Sequence, residues 1–285
     1  MLILGKGGML GSMVFDYFSQ DDAYEVKGTE KEEFNADEFL KDNSKFSYIK
    51  DFDYLINCIG IIKPFCKDDD SEGVLKAIRI NALFPHELAK FCEKSYAKII
   101  QIATDCVFSG KFGNYDETSQ HDPVDVYGKS KSLGEVYFGS FLNIRCSIVG
   151  PEMKNNLGLL GWFLTQKKGT KLKGFINHKW NGVTTLQFAI LCKRIIDSNK
   201  FDQLIKISRI FHFVPNNIVT KYDLLSLFNK VFEIGTKIER VETKEIKDMT
   251  LKTRYSLEDL FGNSSIEKSL SELKDYMNNS TIFKY

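Results

Sequence analysis

The sequence of 285 residues predicts an α/β fold, in which a doubly wound parallel sheet is followed by a smaller α+β region. Up to about residue 150, short apolar runs alternate with longer segments of helical apolar spacing, as is typical of parallel strands joined by helices. After Gly150-Pro151, helical stretches are instead interleaved with Gly- and Asn-rich turns and short strands. We therefore predict one region over 1–150 and a second over 151–285. This boundary is soft, because such folds often return a strand or helix to the first sheet.

Apolar patterning gives the elements of each region in order. The predicted strands of the first region are Met1–Leu4, Tyr24–Gly28, Tyr54–Ile62, Lys98–Ile102 and Leu142–Val149. The predicted helices are Leu10–Phe18, Val74–Lys94 and Tyr127–Phe138, followed in the second region by Leu157–Lys168, Thr185–Ser198 and Lys221–Val231.

Composition excludes several classes of protein. Lys and Arg number 39 against 38 Asp and Glu, so no overall field draws the chain to nucleic acid or to a membrane surface. The longest apolar runs are far shorter than the ~20 residues that cross a bilayer, and no basic segment precedes an apolar stretch at the N-terminus. The six cysteines show no CxxC pair, so we expect reduced thiols, no metal site and a cytoplasmic location.

A glycine-rich turn directly follows the first predicted strand. Gly5, Gly8 and Gly11 form a Gly-x-x-Gly-x-x-Gly register. The first permits a sharp turn, the second lets backbone N–H groups approach a pyrophosphate, and the third lets the helix pack closely on the sheet. Met9 and Leu10, in the same turn, are expected to contact the ligand as well. The turn therefore predicts a dinucleotide site in a Rossmann domain.

The predicted cofactor is NADP(H) or NAD(H), and the residues leave the choice open. An acid after the second strand accepts a hydrogen bond from the ribose 2′-OH of NAD, whereas a cation holds the 2′-phosphate of NADP. Glu30 and Lys31 supply both charges at this position. Further along the sheet edge, four more residues are expected to line the cofactor: Cys58, Ile59, Gly60 and Ala103.

Tyr127 and Lys131 lie at i and i+4, on one face of a predicted helix. A tyrosine of ordinary pKa (~10) is a poor acid or base at neutral pH unless a cation stabilises its phenolate, and a lysine one turn away supplies that charge. Thr104 ends a strand at the edge where ligands of open α/β sheets bind. Asn81 is expected to support a water or backbone link to Lys131. The structural alternatives are that Thr104 caps a turn and that Asn81 is a satisfied helix residue.

These residues carry a family resemblance. The run Thr104-Asp105-Cys106-Val107-Phe108-Ser109-Gly110, followed by Tyr115-Asp116-Glu117, Pro123, Tyr127-Gly128-Lys129-Ser130-Lys131 and Gly134-Glu135, resembles the dTDP-4-dehydrorhamnose reductase family of extended short-chain dehydrogenases. Later landmarks are Arg145-Cys146-Ser147 and Gly182-Val183-Thr184-Thr185. The likeness covers about residues 1–262.

The resemblance implies a Rossmann domain, a small substrate region, and reduction by NAD(P)H of the C4 ketone of a 6-deoxyhexose carried on a nucleoside diphosphate. It implies that Tyr127 is the acid and that Lys131 is its electrostatic and ribose partner. Thr104 would donate a hydrogen bond to the carbonyl, and Asp105 and Arg145 would lie at or near the sugar pocket. The expected partner is a nucleotide sugar, and a homodimer is compatible with the sequence.

Departures from the family pattern leave two alternatives open. Cys106 stands where the family commonly has an aromatic residue, and His178 and Trp180 lie in an unusual loop that is expected to contact the base or sugar, with packing as the alternative for Trp180. Related epimerase/reductases use a cysteine and a histidine as acid and base, so Cys106 and His178 allow a bifunctional 3,5-epimerase/4-reductase. The family also resembles the regulatory β subunit of methionine adenosyltransferase, so a catalytically idle NADP-binding subunit is the second alternative.

Overall fold

The computed structural model describes residues 1–255 and 257–283. Its strands are β1 Leu2–Leu4, β2 Lys27–Thr29, β3 Tyr54–Asn57, β4 Lys98–Thr104, β5 Phe141–Cys146, β6 Ile148–Val149, β7 Lys171–Phe175, β8 His178–Trp180, β9 Val183–Thr184, β10 Ile210–His212, β11 Val219–Thr220, β12 Lys237–Val241 and β13 Lys247–Asp248. Its α-helices are α1 Met9–Ser19, α2 Ala36–Lys41, α3 Ser71–Ala77, α4 Phe84–Cys92, α5 Val126–Leu133, α6 Leu159–Leu164, α7 Thr185–Asp197, α8 Phe201–Ile207, α9 Lys221–Phe232 and α10 Ile266–Asn279.

The main sheet has six strands in the order β10-β5-β4-β3-β1-β2, and every neighbouring pair is parallel. The chain leaves β1 toward β2 on one side and returns to β3 on the other. The carboxyl ends of β1 and β3 therefore border the crevice where ligands of such sheets bind. The α/β fold with a parallel central sheet is as predicted.

Alternating side chains bury both faces of this sheet, as strands covered by helices on both sides require. Leu2, Leu55 and Ile99 point to one face, where they join the aromatic cluster of Phe39 and Phe84 from α2 and α4. The residue after each of them points to the opposite face, where α1 and α7 cover the sheet: Ile3, Ile56 and Ile100.

One strand from residues 151–285 joins the main sheet. β10 pairs with β5 through Ile210–Asn143 and His212–Arg145. The remaining strands of the second region form small sheets, of which β8 with β11 and β13 is the largest. The helices α6, α9 and α10 lie beside them.

Several predicted elements are shorter or more irregular than their patterns indicate. The predicted helix Leu157–Lys168 is helical only over Leu159–Leu164, the strand predicted at Tyr24–Gly28 is Lys27–Thr29, and the run Leu142–Val149 is divided at Ser147 into β5 and β6. β3 ends at Asn57, whose side chain accepts a hydrogen bond from the Ile59 N–H and starts a loop. The predicted long helix from Val74 contains a π-turn over Ile78–Leu83. α5 ends at Leu133, because Gly134 lies against the backbone of the π-turn.

Two further findings concern the residues that the structure describes. None of their helices is long and apolar enough to cross a membrane. Across 1–255 and 257–283, no group of His, Cys, Asp and Glu side chains is arranged to hold a metal ion, and the six cysteines are free thiols.

Candidate active site

The glycine turn has the geometry of a phosphate-binding loop. Gly5 has a φ of +83°, which few other residues adopt, and its N–H and that of Lys6 donate to the Thr29 carbonyl. A Cβ at Gly11 would overlap the Gly5 carbonyl oxygen, so only glycine lets α1 start this close to the strand. Gly8 precedes the first residue of α1, and no side chain caps the helix there. The N–H groups of the first turn are therefore available to an anion.

A cleft of about 370 Å³ opens beside this turn. Seven of the residues predicted to bind the cofactor line it: Gly5, Gly8, Glu30, Lys31, Cys58, Ile59 and Gly60. A larger cleft of about 1030 Å³ lies at the opposite, amino-terminal edge of the sheet, beside Met1, Tyr54 and Lys98. Size alone therefore does not identify the cofactor site, and the predicted dinucleotide site is the smaller cleft, which contains the glycine turn.

Three further predicted cofactor contacts, Met9, Leu10 and Ala103, are not among the residues that line this cleft. The side chain of Leu10 and that of Ala103 are buried in the protein, so only their backbone faces the site. Met9 begins α1 and reaches toward Gly158 of the second region. The prediction missed Lys154, which also lines the cleft and whose ammonium lies 3.7 Å from the Glu30 carboxylate. Lys154 does not directly follow a predicted strand, so the strand and helix pattern of the sequence gave no reason to expect it in the cleft.

Helix α5 brings Tyr127 to the carboxyl edge of the sheet. Asp125 caps the helix, its Oδ1 accepting from the Gly128 N–H at 2.8 Å. A Cβ at Gly128 would overlap the Cys106 carbonyl oxygen, so the glycine lets the helix start directly against the turn that follows β4. Tyr127 is thereby placed next to Thr104 and Cys106.

Thr104 has both a structural and a potential chemical role. Its Oγ1 accepts from the Cys106 N–H at 3.2 Å, capping the short turn Asp105–Val107, and donates to Asp105 Oδ1 at 3.2 Å. Burial raises the pKa of the Tyr127 phenol, as does Cys106, whereas the Thr104 side chain lowers it. Tyr127 therefore carries its proton at neutral pH, as a proton donor requires.

Lys131 lies beneath the carboxyl edge of the sheet, and its Nζ donates to the Ile102 carbonyl at 3.0 Å. Burial lowers its pKa to about 8, an effect opposed by Glu135 and by the nearby thiols of Cys58 and Cys146. The ammonium thus stands close to Cys58, which lines the cofactor cleft. Its direct effect on the Tyr127 phenolate stays a prediction.

Asn81 has direct hydrogen-bond partners in the loop after β3 and on α5. Its Oδ1 accepts from the Ile61 N–H at 2.8 Å, and its Nδ2 donates to the Ile61 carbonyl and to Ser130 Oγ. All of these bonds hold the loop after β3 against α5, and none of them reaches Lys131. The amide of Asn81 is therefore fully hydrogen-bonded in the π-turn, and its link to Lys131 through a water or the backbone stays a prediction.

Arg145 also lies elsewhere than predicted. Its side chain is fully buried and donates to Glu135, His121 and His212. The guanidinium thus makes four hydrogen bonds inside the protein and has no exposed surface with which to contact a sugar. The prediction failed because β5 directs Arg145 under the sheet edge.

Asp105 and Cys106 form the short turn after β4, at the carboxyl edge of the sheet, and their contact with a sugar stays a prediction. Burial raises the pKa of the Asp105 carboxyl, while hydrogen bonds from Ser147, Thr104 and Cys106 lower it. Burial also raises the pKa of the Cys106 thiol to about 12, so the thiol is protonated at neutral pH. Two lysines that the sequence did not mark, Lys63 and Lys221, also face Asp105.

His178 and Trp180 lie on β8, in the second region. The His178 Nε2 contacts Thr243 Oγ1 at 2.9 Å and the Glu245 carbonyl at 3.2 Å, and its ring packs on Phe175. The histidine is therefore tied to the loop before β13. Trp180 packs against the main core and lies over Gly182, close to the Ser147 backbone at the catalytic edge.

Comparisons with known proteins show which proteins this chain is similar to. A dTDP-4-dehydrorhamnose reductase of Aggregatibacter actinomycetemcomitans is 26% identical over 275 residues, which cover 91% of this chain and 90% of that protein. The crystal structure of a dTDP-4-dehydrorhamnose reductase from Clostridium acetobutylicum has a TM-score of 0.79 at 24% identity, covering 97% of this chain and 99% of that one.

A dTDP-4-dehydrorhamnose reductase of Bacillus anthracis, solved in complex with NADP, has a TM-score of 0.76 at 16% identity and covers 96% of this chain and 98% of that one. The two solved structures show that the fold is shared. The RmlD substrate binding domain family matches residues 1–261. The chain belongs to the RmlD substrate binding domain family.

Proposed function

We propose that the protein uses NAD(P)H to reduce the C4 ketone of a nucleotide-linked 4-keto-6-deoxyhexose. The observation that carries the proposal is the juxtaposition of Thr104 and Tyr127 at the carboxyl edge of the sheet, with Lys131 beneath them, beside the glycine-lined cleft. The name of the bacterial relative that matches 91% of the chain supports the same substrate class. In this proposal 1–150 holds the cofactor and 151–285 completes the substrate site.

The dinucleotide, when bound, supplies a hydride to the carbonyl carbon, and the protein must supply a proton to the oxygen. Tyr127 is the donor in this proposal, because its buried phenol is protonated at neutral pH. The Thr104 hydroxyl orients the carbonyl oxygen toward it. Lys131 contributes positive charge beneath the cofactor, while the glycine turn and the start of α1 hold the pyrophosphate.

The proposal favours reduction without epimerisation. An enzyme that inverts a carbon beside the ketone needs a base, and the Cys106 thiol, whose pKa is raised to about 12, is a poor one at neutral pH. His178 is held by Thr243 and Glu245 in the second region. The presence of Thr104, Tyr127 and Lys131 together also favours turnover over an idle regulatory role.

The test is oxidation of NADPH and NADH, followed by absorbance, with dTDP-, UDP- and GDP-linked 4-keto-6-deoxyhexoses. We expect turnover with one nucleotide class and a loss of at least about a thousandfold in Tyr127→Phe, since the proton donor is removed. Tyr96→Phe is the matched control, because Tyr96 is 95% exposed and far from the site. Tight binding of NADPH without turnover on any of these substrates would contradict the proposal and favour the regulatory alternative.

We further propose that the protein is a cytoplasmic homodimer. The free thiols support a reducing compartment. Large apolar side chains on the outer surfaces of α3, the π-turn and the end of α5 support a self-association surface: Leu75, Ile78, Leu83, Leu133 and Phe138. Light scattering should give twice the monomer mass, and Leu83→Glu with Leu133→Glu should give the monomer.

A further inference from the structure

The loop after β3 carries a lysine over the ring of Tyr127. Lys63 begins the short 3₁₀ turn Lys63–Phe65, and its ammonium lies 5.7 Å from the centroid of the Tyr127 ring. A cation at this distance from an aromatic face is attracted to it, and the attraction grows when the ring becomes a phenolate. Lys131 instead donates to the Ile102 carbonyl. Lys63 is thus the ammonium that the structure places over the phenol ring.

Asp125 fixes Lys63 in this position. The Lys63 Nζ lies 2.7 Å from Asp125 Oδ2, while Oδ1 of the same carboxylate accepts from the Gly128 N–H at 2.8 Å. One carboxylate therefore caps the helix that carries Tyr127 and holds the lysine above its ring. The loop itself is anchored by the bonds between Asn81 and the backbone of Ile61.

The charge on this lysine is maintained. Burial lowers the pKa of Lys63, but Cys106 and the hydrogen bond with Asp125 outweigh burial, and the pKa is raised above its usual value. The ammonium is therefore present throughout the range in which the reductase would work.

We propose that Lys63 is a positioning residue for the reaction, which holds positive charge over the Tyr127 ring and thereby makes its phenol a stronger acid. The inference rests on the proposed function, in which Tyr127 gives its proton to the ketone oxygen and is left as a phenolate. The developing negative charge then lies beside the Lys63 ammonium. Because the side chain of Lys63 is 47% exposed, water weakens the effect, and we expect Lys63→Met to lower kcat by about three- to tenfold.

Other groups also act on this phenol, and the test must separate them. Those acting on Tyr127 are Thr104 at the end of β4, Asp105 and Cys106 from the turn after it, and Cys66 from the loop after β3. Those facing Lys63 are Asp125, Asp105 and Cys106, and Lys247 acts on Asp125. Replacing Lys63 leaves these side chains in place but also removes a charge that lowers the pKa of Asp105, Cys106, Cys66 and Asp125. Lys63→Arg, which keeps the charge, therefore serves as the rescue variant.

The decisive experiment measures the acidity of the phenol without turnover. Tyr127 is replaced by trifluorotyrosine, whose lower intrinsic pKa brings its ionisation into a range that the folded protein tolerates. The ionisation is followed by fluorine NMR in the full chain with Lys63, Lys63→Met and Lys63→Arg. Lys129→Met is the matched control, because Lys129 lies on the same helix but its ammonium is 4.0 Å from Asp68.

We expect the phenol pKa to rise by at least about half a unit in Lys63→Met and to return in Lys63→Arg, with Lys129→Met unchanged. An unchanged pKa in Lys63→Met, or an equal rise in Lys129→Met, would overturn the inference. The kcat of the same variants with native Tyr127 is measured alongside. A pKa shift in a protein that turns over no nucleotide sugar would refute the proposed function and leave the effect of Lys63 on Tyr127 established.

Discussion

The carboxylate of Glu30 lines the cleft beside the glycine turn, where the sequence predicts contact with the ribose of the cofactor's adenosine. It lies near Gly7 of the glycine turn and 3.7 Å from the Lys154 ammonium. A carboxylate there accepts a hydrogen bond from a free 2′-OH and repels a 2′-phosphate. The ammonium groups of Lys31 and Lys154, which line the same cleft, attract a 2′-phosphate instead. The preference between NAD(H) and NADP(H) therefore depends on the balance of these charges.

We predict that Glu30→Gln shifts the ratio of kcat/KM for NADPH over NADH toward NADPH by about tenfold or more, since a charge-assisted bond is lost and a repulsion is removed. The ratio is measured in steady state with a single nucleotide sugar. Glu32→Gln is the control, because Glu32 lines the same cleft. An unchanged ratio in Glu30→Gln would show that Glu30 does not face the ribose.

Replacement of Cys106 tests whether this residue acts as the base of an epimerase. Because the pKa of its thiol is raised to about 12, we expect no thiolate base at neutral pH. Turnover in deuterated buffer should place no deuterium at C3 or C5 of the sugar, and Cys106→Ser should keep kcat within about threefold. Deuterium at either carbon that disappears in Cys106→Ser would instead establish the epimerase/reductase alternative.

At the scale of elements, the site depends on how closely α5 approaches its neighbours. Gly128 meets the turn after β4, and Gly134 meets the π-turn at the Asn81 carbonyl. A side chain at either glycine would overlap backbone, which cannot move as a flexible side chain can. The second of these contacts is distant from the reacting atoms and tests packing alone.

We predict that Gly134→Ala lowers the free energy of unfolding by about 2–4 kcal/mol, because its Cβ would overlap the Asn81 carbonyl oxygen. Urea denaturation measures the loss. In Gly262→Ala the added methyl group meets nothing within 4 Å, so that variant should change stability by less than about 1 kcal/mol. Equal stabilities of the two variants would contradict the close packing.

Elements that a local sequence pattern determines could be predicted, whereas elements that depend on contacts between residues far apart in sequence could not. Apolar runs and the glycine turn located β1, α1, β4 and α7 almost to the residue, because local pattern and tertiary burial agree there. The end of α5 and the π-turn depend on a backbone contact between Gly134 and Asn81, which lie far apart in sequence. The sequence likewise gave no indication of a role for Lys63, because its ion pair with Asp125 joins residues that lie far apart in sequence.

At the scale of the whole molecule, a buried cluster of charged and imidazole groups joins the two regions. Arg145 on β5 pairs with Glu135 at 2.7 Å and donates to His212 on β10 and to His121. Because a guanidinium only donates, both imidazoles accept through Nε2 and are neutral. Their other nitrogens contact the Lys252 carbonyl and Ser132 Oγ.

Burial and Arg145 lower the pKa of His212 to about 4, and burial lowers that of His121 as well. The unfolded chain therefore binds more protons below pH 6.5, and stability is full above that value and falls toward pH 4. We expect a loss of about 1–2 kcal/mol from His212 between pH 7 and 5. Urea denaturation at both values should show a smaller loss in His212→Gln than in the native protein, and His86→Gln should behave like the native protein.

The return of β10 to the edge of the main sheet has a consequence for synthesis on the ribosome. When the first 150 residues have emerged, β5 can pair with β4, but the edge that faces β10 in the complete fold is still unpaired. Arg145 is then made long before His212 can accept from it. The nascent chain thus exposes a charged strand edge that can pair with other chains until more than sixty further residues are translated. A chaperone that shields such edges should raise the soluble yield, and a chain cut after residue 150 should aggregate.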